Sequence, residues 1–474
     1  MSKVKVNIAY NVGYQILLYI IPLITTPFLS RVIGAKGIGT YSYHYSIAYY
    51  FVIFAMLGLN NYGSRSIAGV KEDREQLAKT FWSIFWMQFM MSAIAISGYA
   101  IYCMFLSDTK VYSLMMGIYV VSALFDINWF FFGIEKFRIT VTRNTVIKVV
   151  SLICIFIFVK EPDDVYIYIL IMVISILSSQ LVLWVFLFQY VSFRKVERSD
   201  VMEHLKPNFV LFIPVIAVNV YKMMDKIMLG MLVDYTEVGY YENCEKILNV
   251  PTSIISGIGT VMLPRITNLI SSCDVKTENK YFTYIMLFSA FFSSAMCFGM
   301  MGIAEEFVPW FFGPGFENCV SIITVIFPSS LFLALANVLR TQILIPYKMD
   351  LIYVLSVTLG AVVNFIFNFI FISEYHALGA SFATVLAEGT VFIVQFMFVT
   401  KRRGPIKIMK YLVPFYIFGI MLFLILKQIT FGAEVENFTR MIWKILIGMA
   451  VYLAVSAFYY KRYLKVRLLC QREN

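Results

Sequence analysis

The chain has 474 residues, of which 60% are hydrophobic and only 14% charged, with a mean hydropathy of +0.78 and a formal net charge of +11. Soluble domains run at about 45–50% apolar and about 25% charged, so a soluble globular fold of this length is excluded by its shortage of charged surface. At roughly 20 apolar residues per spanning helix, the length has room for about a dozen or more helices, and the sequence predicts an all-α integral membrane protein.

The N-terminus MSKVKVNIAY has a basic, leader-like start, but the apolar run from Ile8 to Leu29 is too long for a signal h-region and lacks a small-residue cleavage site. It is predicted as the first membrane helix. Further spans follow at about 40–62, 80–106, 111–133, 144–160 and 165–192. A second set lies at about 209–233, 241–264, 280–303, 319–340, 350–373 and 380–400, and a final pair at about 411–427 and 441–460, fourteen in all. The stretch 144–160 is short and carries Lys148. With the N-terminus inside, the cytoplasmic segments hold 28 Lys and Arg and the outer ones 7, so the positive-inside rule predicts both termini in the cytoplasm of a multi-pass membrane protein. This bias accounts for most of the net charge. The basic segments are loops between apolar spans with no reader motif, and no nucleic-acid partner is expected.

The most informative stretch runs from Asn219 to Lys246. It puts Lys222, Asp225 and Lys226 into an apolar run at positions i, i+3 and i+4, one face of a helix. Ionisable groups inside a membrane usually face a bundle interior or a water-filled cavity, although lysines near a helix end also snorkel. Asp126 and Glu388 lie deep in the fourth and twelfth spans, as coupling-ion sites, partners of a nearby cation, or cavity-lining groups. Asn364 and Asn368 stand one turn apart, for an interhelical hydrogen bond or a cavity wall. Tyr41, Tyr43 and Tyr45 fall where an aromatic belt is expected, His44 reads as an interfacial residue, and Glu242, Glu245 and Lys246 as a solvated charge cluster. The aromatic loop EEFVPWFFGPGFEN is predicted to lie on the outer interface. The seven cysteines form no CxxC pair or His-rich cluster, which predicts neither a disulfide framework nor a metal site. No hydrolase, nucleotide-binding or zinc-protease motif stands out, so neither an enzyme nor a cofactor is expected.

An internal repeat adds architecture. GIGTYSY with Gly39 matches EVGYYEN with Gly239 at a shift of 200, and GLNNYGSR from Gly58 matches IGTVMLPR from Ile258 at the same shift. Six helices per repeat predict parallel halves: 1–200 with six spans, 201–405 with six, and 406–474 with the last two and a basic tail.

PLITTPFLSRVIGAKGIGTYSY, LGLNNYGSRSIAGVKEDR, MMDKIMLG with EVGYYENCEKI, and MLPRI together resemble the polysaccharide transporter family. More narrowly they resemble Wzx-type flippases of the multidrug/oligosaccharidyl-lipid/polysaccharide superfamily. The resemblance implies two six-helix lobes forming a V-shaped central cavity with two extra helices. It also implies a polyprenyl-diphosphate-linked oligosaccharide moved to the outer leaflet of the bacterial cytoplasmic membrane by alternating access, in company with polysaccharide polymerase and glycosyltransferases. The residues fit that substrate independently. A diphosphate needs Lys or Arg, which Arg31, Arg143, Lys148, Lys222, Lys226 and Lys246 offer in or beside spans. Sugars need stacking faces and hydrogen-bonding handles, which Tyr41, Tyr43, Tyr45, Tyr49 and Tyr50 and Asn60, Asn61, Asn364 and Asn368 offer. Two rivals from the same superfamily stay open: a cation-coupled multidrug exporter, which the excess of cations near these positions disfavours, and a peptidoglycan-precursor flippase, which the motif order disfavours.

Overall fold

Long apolar helices, ended by glycine, proline and capping acids, make up the chain in a computed structural model that describes residues 20–403, 409–431 and 435–464. Residues 8–19 of the first predicted span, and parts of the basic segments 401–407 and 461–467, lie outside the described residues. The helices are α1 (Ile20–Val32), α2 (Gly34–Met56), α3 (Leu59–Val70), α4 (Arg74–Phe105), α5 (Lys110–Ser122), α6 (Asn128–Gly133), α7 (Phe137–Phe158) and α8 (Val165–Leu187). There follow α9 (Arg198–Glu203), α10 (Leu205–Leu232), α11 (Tyr235–Ser271), α12 (Val275–Phe311), α13 (Asn318–Ile326), α14 (Ser329–Leu339), α15 (Asp350–Arg403), α16 (Met409–Gln428) and α17 (Asn437–Tyr459). Among the described residues ten helical stretches are long and apolar enough to cross a membrane. Every one of the fourteen predicted spans is met once α1, α2 and α10 are added and α15 is taken as two arms. The residue dividing those arms is His376, whose φ of 52° and ψ of −129° break the helix between the predicted spans at 350–373 and 380–400.

Local chemistry explains where the boundaries fall. Gly34, at φ 65°, turns the chain between α1 and α2, so the second span begins at 34 instead of about 40. It ends at Leu57, φ 47°, which places Asn60 and Asn61 on the separate helix α3 and not in the span assigned to them. Asp73 caps α4 by accepting the backbone N–H groups of Glu75 and Gln76 at 2.9 and 3.1 Å. The fourth span is not one helix. It runs as α5, a 3₁₀ turn at Ala123–Phe125, extended backbone at Asp126 and then α6, because the Asp126 carboxylate captures the backbone N–H of Asn128 at 3.0 Å. The weakly marked fifth span is a full helix, α7, of 22 residues.

Residues 1–239 and 240–474 form two compact units. In the first, Trp129, Phe130 and Phe131 are fully buried with Phe81, Leu183 and Leu187. At the centre of that core, Gln88 donates to the carbonyls of Ala123 and Asp126 at 2.7 and 2.9 Å and accepts from Trp129 Nε1 at 3.0 Å. One buried amide thereby satisfies the carbonyls that the broken span leaves open.

In the second unit α16 and α17 pack on α12. Ser294 donates to the Phe415 carbonyl at 2.7 Å, Tyr452 to the Phe291 carbonyl at 2.9 Å, and Lys444 pairs with Glu306 at 2.6 Å. The aromatic stretch is only partly a loop, with Trp310 exposed at 39%. Its first residues extend α12, Phe312 and Phe316 are buried at 0% and 1% exposure, and Gly313 and Gly315 at φ 91° and 84° turn the chain between α12 and α13.

Candidate functional site

The charged stretch of α10 meets α2. Asp225 and Lys226 are buried at 4% and 7% exposure, whereas Lys222, one turn earlier, is exposed. The patch is therefore layered: a buried carboxylate and ammonium at its base and an open ammonium at its rim. Around it, Tyr49 donates to Asn219 Oδ1 at 3.0 Å, Ser46 Oγ approaches Met223 Sδ at 3.6 Å, and Tyr50 lies within electrostatic reach of Asp225. A net positive patch edged by phenol groups suits an anion that carries hydroxyls.

The tyrosines of α2 do not form an outward belt. Tyr41, Tyr45 and Tyr49 repeat every four residues and stack in sequence with centroids 5.7 and 5.9 Å apart. Tyr45 also stacks on Tyr119 at 5.1 Å, and Tyr41 leans on Tyr168 at 4.8 Å. On another face Tyr43 packs against Tyr235 at 5.0 Å. His44 is buried at 1% exposure. Its Nδ1 lies 2.6 Å from the Thr40 carbonyl, which can only accept, so Nε2 accepts from the Thr109 hydroxyl at 2.6 Å.

Asp126 and Arg143, 17 residues apart in sequence, join one network, Arg143 buried and Asp126 half-buried. Asn128 Nδ2 donates to Asp126 Oδ1 at 2.7 Å and to Gln180 Oε1 at 3.1 Å, and Arg143 donates to Asn128 Oδ1 at 2.9 Å, to Asn144 Oδ1 at 2.6 Å and to the Ser179 carbonyl. Arg143 thus reaches Asp126 through Asn128. Asn128, Asn144 and Gln180 were not singled out from the sequence. They carry no charge, and the only signal for them was an amide inside an apolar span.

A second cluster forms in α15. Ser356 accepts from Gln395 Nε2 at 3.0 Å, and Gly360 sits against Ala387 and Val391, which sets the register of the two antiparallel arms. Asn364 and Glu388 each lie twelve residues from His376, so that register puts them at one level. At 1.5 Å per residue this is roughly 18 Å from the turn, near the middle of a bilayer core of about 30 Å. Asn364, Asn368 and Glu388 are buried at 0%, 0% and 4% exposure, and Asn368 Nδ2 donates to Asn364 Oδ1 at 3.2 Å. The two asparagines are thus bonded to each other along one helix face.

The other candidates stand apart from these clusters. Arg31 is exposed and donates to the Pro27 carbonyl at 2.8 Å, Asn60 and Asn61 are exposed on α3, and Lys148 is half-buried on α7. Lys246 pairs with Glu242 one turn away at 3.2 Å in a half-buried bridge. Among the described residues no group of three or more His, Cys, Asp or Glu side chains could hold a metal ion.

Residues 4–270 match the model of the polysaccharide biosynthesis protein family, more than half of the chain. A protein of Escherichia coli (strain K12) named as a candidate O-antigen transporter is 22% identical over 85% of this chain and 99% of its own length. One of Shigella dysenteriae with the same name is 21% identical over 80% and 95%. In fold, the lipid II flippase MurJ in an inward closed conformation aligns over 96% of this chain and all of its own at 14% identity, TM-score 0.78. An inward-facing multidrug transporter of the MATE family of the MOP superfamily aligns over 87% of this chain and all of its own at 13% identity, TM-score 0.56. The chain therefore belongs to the polysaccharide biosynthesis protein family.

Proposed function

We propose that this protein flips polyprenyl-diphosphate-linked oligosaccharide repeat units from the inner to the outer leaflet of the bacterial cytoplasmic membrane by alternating access, supplying surface polysaccharide synthesis. The family match over residues 4–270, with relatives named for O-antigen transport, carries the reading. The α10 patch supports it. Lys222 at the rim meets the diphosphate first, Lys226 extends the positive field, and Asp225 holds one of the two lysines between cycles. Lysine suits this task because it is a compact, mobile point charge that can grip a phosphate and release it. A multidrug exporter selecting cations would be poorly served by two ammonium groups against one carboxylate.

Further assignments rest on this reading. Arg31, Arg143, Lys148, Lys246, Asn60 and Asn61 assist the substrate along its path, while Asp126 and Glu388 couple transport to an ion or balance a charge. The lobes are 1–200 and 201–405 with 406–474 appended, both termini face the cytoplasm, and glycosyltransferases and a polysaccharide polymerase act before and after the flip. The deciding experiment is transport in vesicles reconstituted with the purified chain and a labelled polyprenyl-diphosphate oligosaccharide. Protein-dependent appearance of the sugar on the opposite leaflet is expected. Equal movement without protein, or movement of lipid II alone, would assign the chain elsewhere.

A further inference from the structure

The ends of five helices of the first unit line an open pocket of about 270 Å³ that shares no residue with the clusters described above. Lys71 and Arg74 come from the turn between α3 and α4, Lys136 from the turn between α6 and α7, and Gln189 and Tyr190 from the end of α8. These are the ends of spanning helices, so the cavity sits where lipid meets water. Its base is apolar, with Leu77 buried at 4% exposure and Ile134 half-buried. Its frame is fixed: an ideal Cβ on Gly133 would lie 2.6 Å from the Ile67 side chain, and Glu135, at φ 59°, reaches Lys71 at 2.8 Å. That pair uses up one cation. Arg74 has no carboxylate within ion-pair distance among the described residues, and the Lys136 ammonium lies 5.8 Å over the Tyr190 ring.

Two uncommitted cations over an apolar base select an anion with an apolar continuation. Glu72 and Gln189 on the wall add an acceptor and an amide for hydroxyl groups. The exposed rings of Phe132 and Phe188, each within two residues of a lining residue, mark where the wall meets the acyl chains. The volume is below the roughly 300–1,000 Å³ of drug-sized sites, which suits a headgroup and not an oligosaccharide. We propose that this cavity binds the phosphate of an anionic, hydroxyl-bearing phospholipid headgroup, of which phosphatidylglycerol is the simplest, and so ties the first unit to the membrane surface. Basic pockets at helix ends recognise such headgroups elsewhere.

The test uses the full chain in nanodiscs of phosphatidylcholine with phosphatidylglycerol, which expose both faces and so make the result independent of topology and of the transported substrate. Phosphatidylglycerol retained per protein is counted by native mass spectrometry. Arg74→Gln and Lys136→Gln should each lower retention by about five-fold, the effect of one cation near a charged lipid surface. Arg74→Lys with Lys136→Arg should keep it, as should Lys79→Gln, whose ammonium is paired with Asp200 at 2.8 Å outside the cavity. Monodisperse single variants with wild-type retention overturn the site. Equal displacement by glycerol 3-phosphate overturns the lipid source in favour of a soluble phosphate ester.

Discussion

Lys222 and Lys226 look alike in the sequence but differ once folded, and so do the outcomes of changing them. Lys222 is exposed, so Lys222→Ala should weaken transport with little loss of protein, and Lys222→Glu should weaken it further by repelling the anion. Lys226 and Asp225 are buried, so Asp225→Asn or Lys226→Ala should lower the level of inserted protein as well as transport, since changing the charge of a buried site is costly. Transport per inserted protein separates the two, and wild-type transport by Lys222→Glu would remove the diphosphate role. His204, ahead of α10, gives a pH prediction. Its ring Nδ1 lies 2.6 Å from the Tyr62 hydroxyl, and burial pushes its pKa below the ordinary 6.5, against the opposing carboxylates of Glu203 and Asp200. A folded value below the unfolded one means that the stability is complete above 6.5 and is lost as pH falls through the folded value. Melting of the wild type should therefore shift down on acidification, and His204→Gln should flatten the dependence; parallel curves would discard the role. The charged candidates were legible because a Lys or Asp inside an apolar run stands out from its neighbours. Gln88, Asn128 and Gln180 were not, since a neutral amide gives no sign of whether it faces a broken helix or an intact one.

At the level of elements, the repeat read at a shift of 200 has a packing counterpart. A Cβ on Gly39 would strike the Tyr235 carbonyl and lie 2.8 Å from Gly239 N, and a Cβ on Gly239 would strike the Ala35 carbonyl. Both glycines are thus required by backbones in contact, which explains two small residues at matched positions better than turn geometry does. Gly39→Ala or Gly239→Ala should destabilise by about 1–3 kcal/mol, the ordinary cost of overpacking, read as a lower melting temperature of the purified chain. Unchanged melting would show that the backbones separate freely. Helix existence was legible from hydropathy alone, but breaks were not. Asp126 interrupts the fourth span through a side-chain bond to Asn128, and His376 bends α15 without proline or glycine at the break. The last two helices, outside the repeat, gave no hint of their partner. Glu306 and Lys444, 138 residues apart, fasten α17 to α12 where neither residue is more than 8% exposed. Lys444→Ala should destabilise by about 3–5 kcal/mol by stranding Glu306, whereas Lys444→Met with Glu306→Leu should recover most of the loss. A double variant as unstable as the single one would show that the apolar packing, not the ion pair, holds α17.

For the whole molecule, transport requires that binding on one side of the membrane be linked to release on the other, and the half-buried Asp126 and the buried Glu388 are the carboxylates we propose for that link. Asp126 sits in the gap of the broken fourth span with its carboxylate held by Asn128 and, through it, by Arg143. Glu388 sits level with Asn364 near the centre of α15, beside a second asparagine. The two are not equivalent. Asp126 has a cation in its network and amide donors on one oxygen, so its negative charge is already satisfied, and Asp126→Asn should act mainly by loosening the α5–α6 junction. Glu388 is buried at mid-depth level with Asn364, a depth at which carboxylates are rare and mark ion or substrate pathways. Glu388→Gln should therefore flatten the dependence of transport on pH between about 5 and 8, while leaving folded protein at its normal level. Asp126→Asn should instead lower folded protein and leave the shape of the pH profile as it was. Transport per inserted protein, followed across that range in vesicles with and without an imposed ion gradient, reads both effects at once. If both variants transport at the wild-type rate throughout, neither carboxylate couples the cycle, and removal of product on the outer side is left as its driving force.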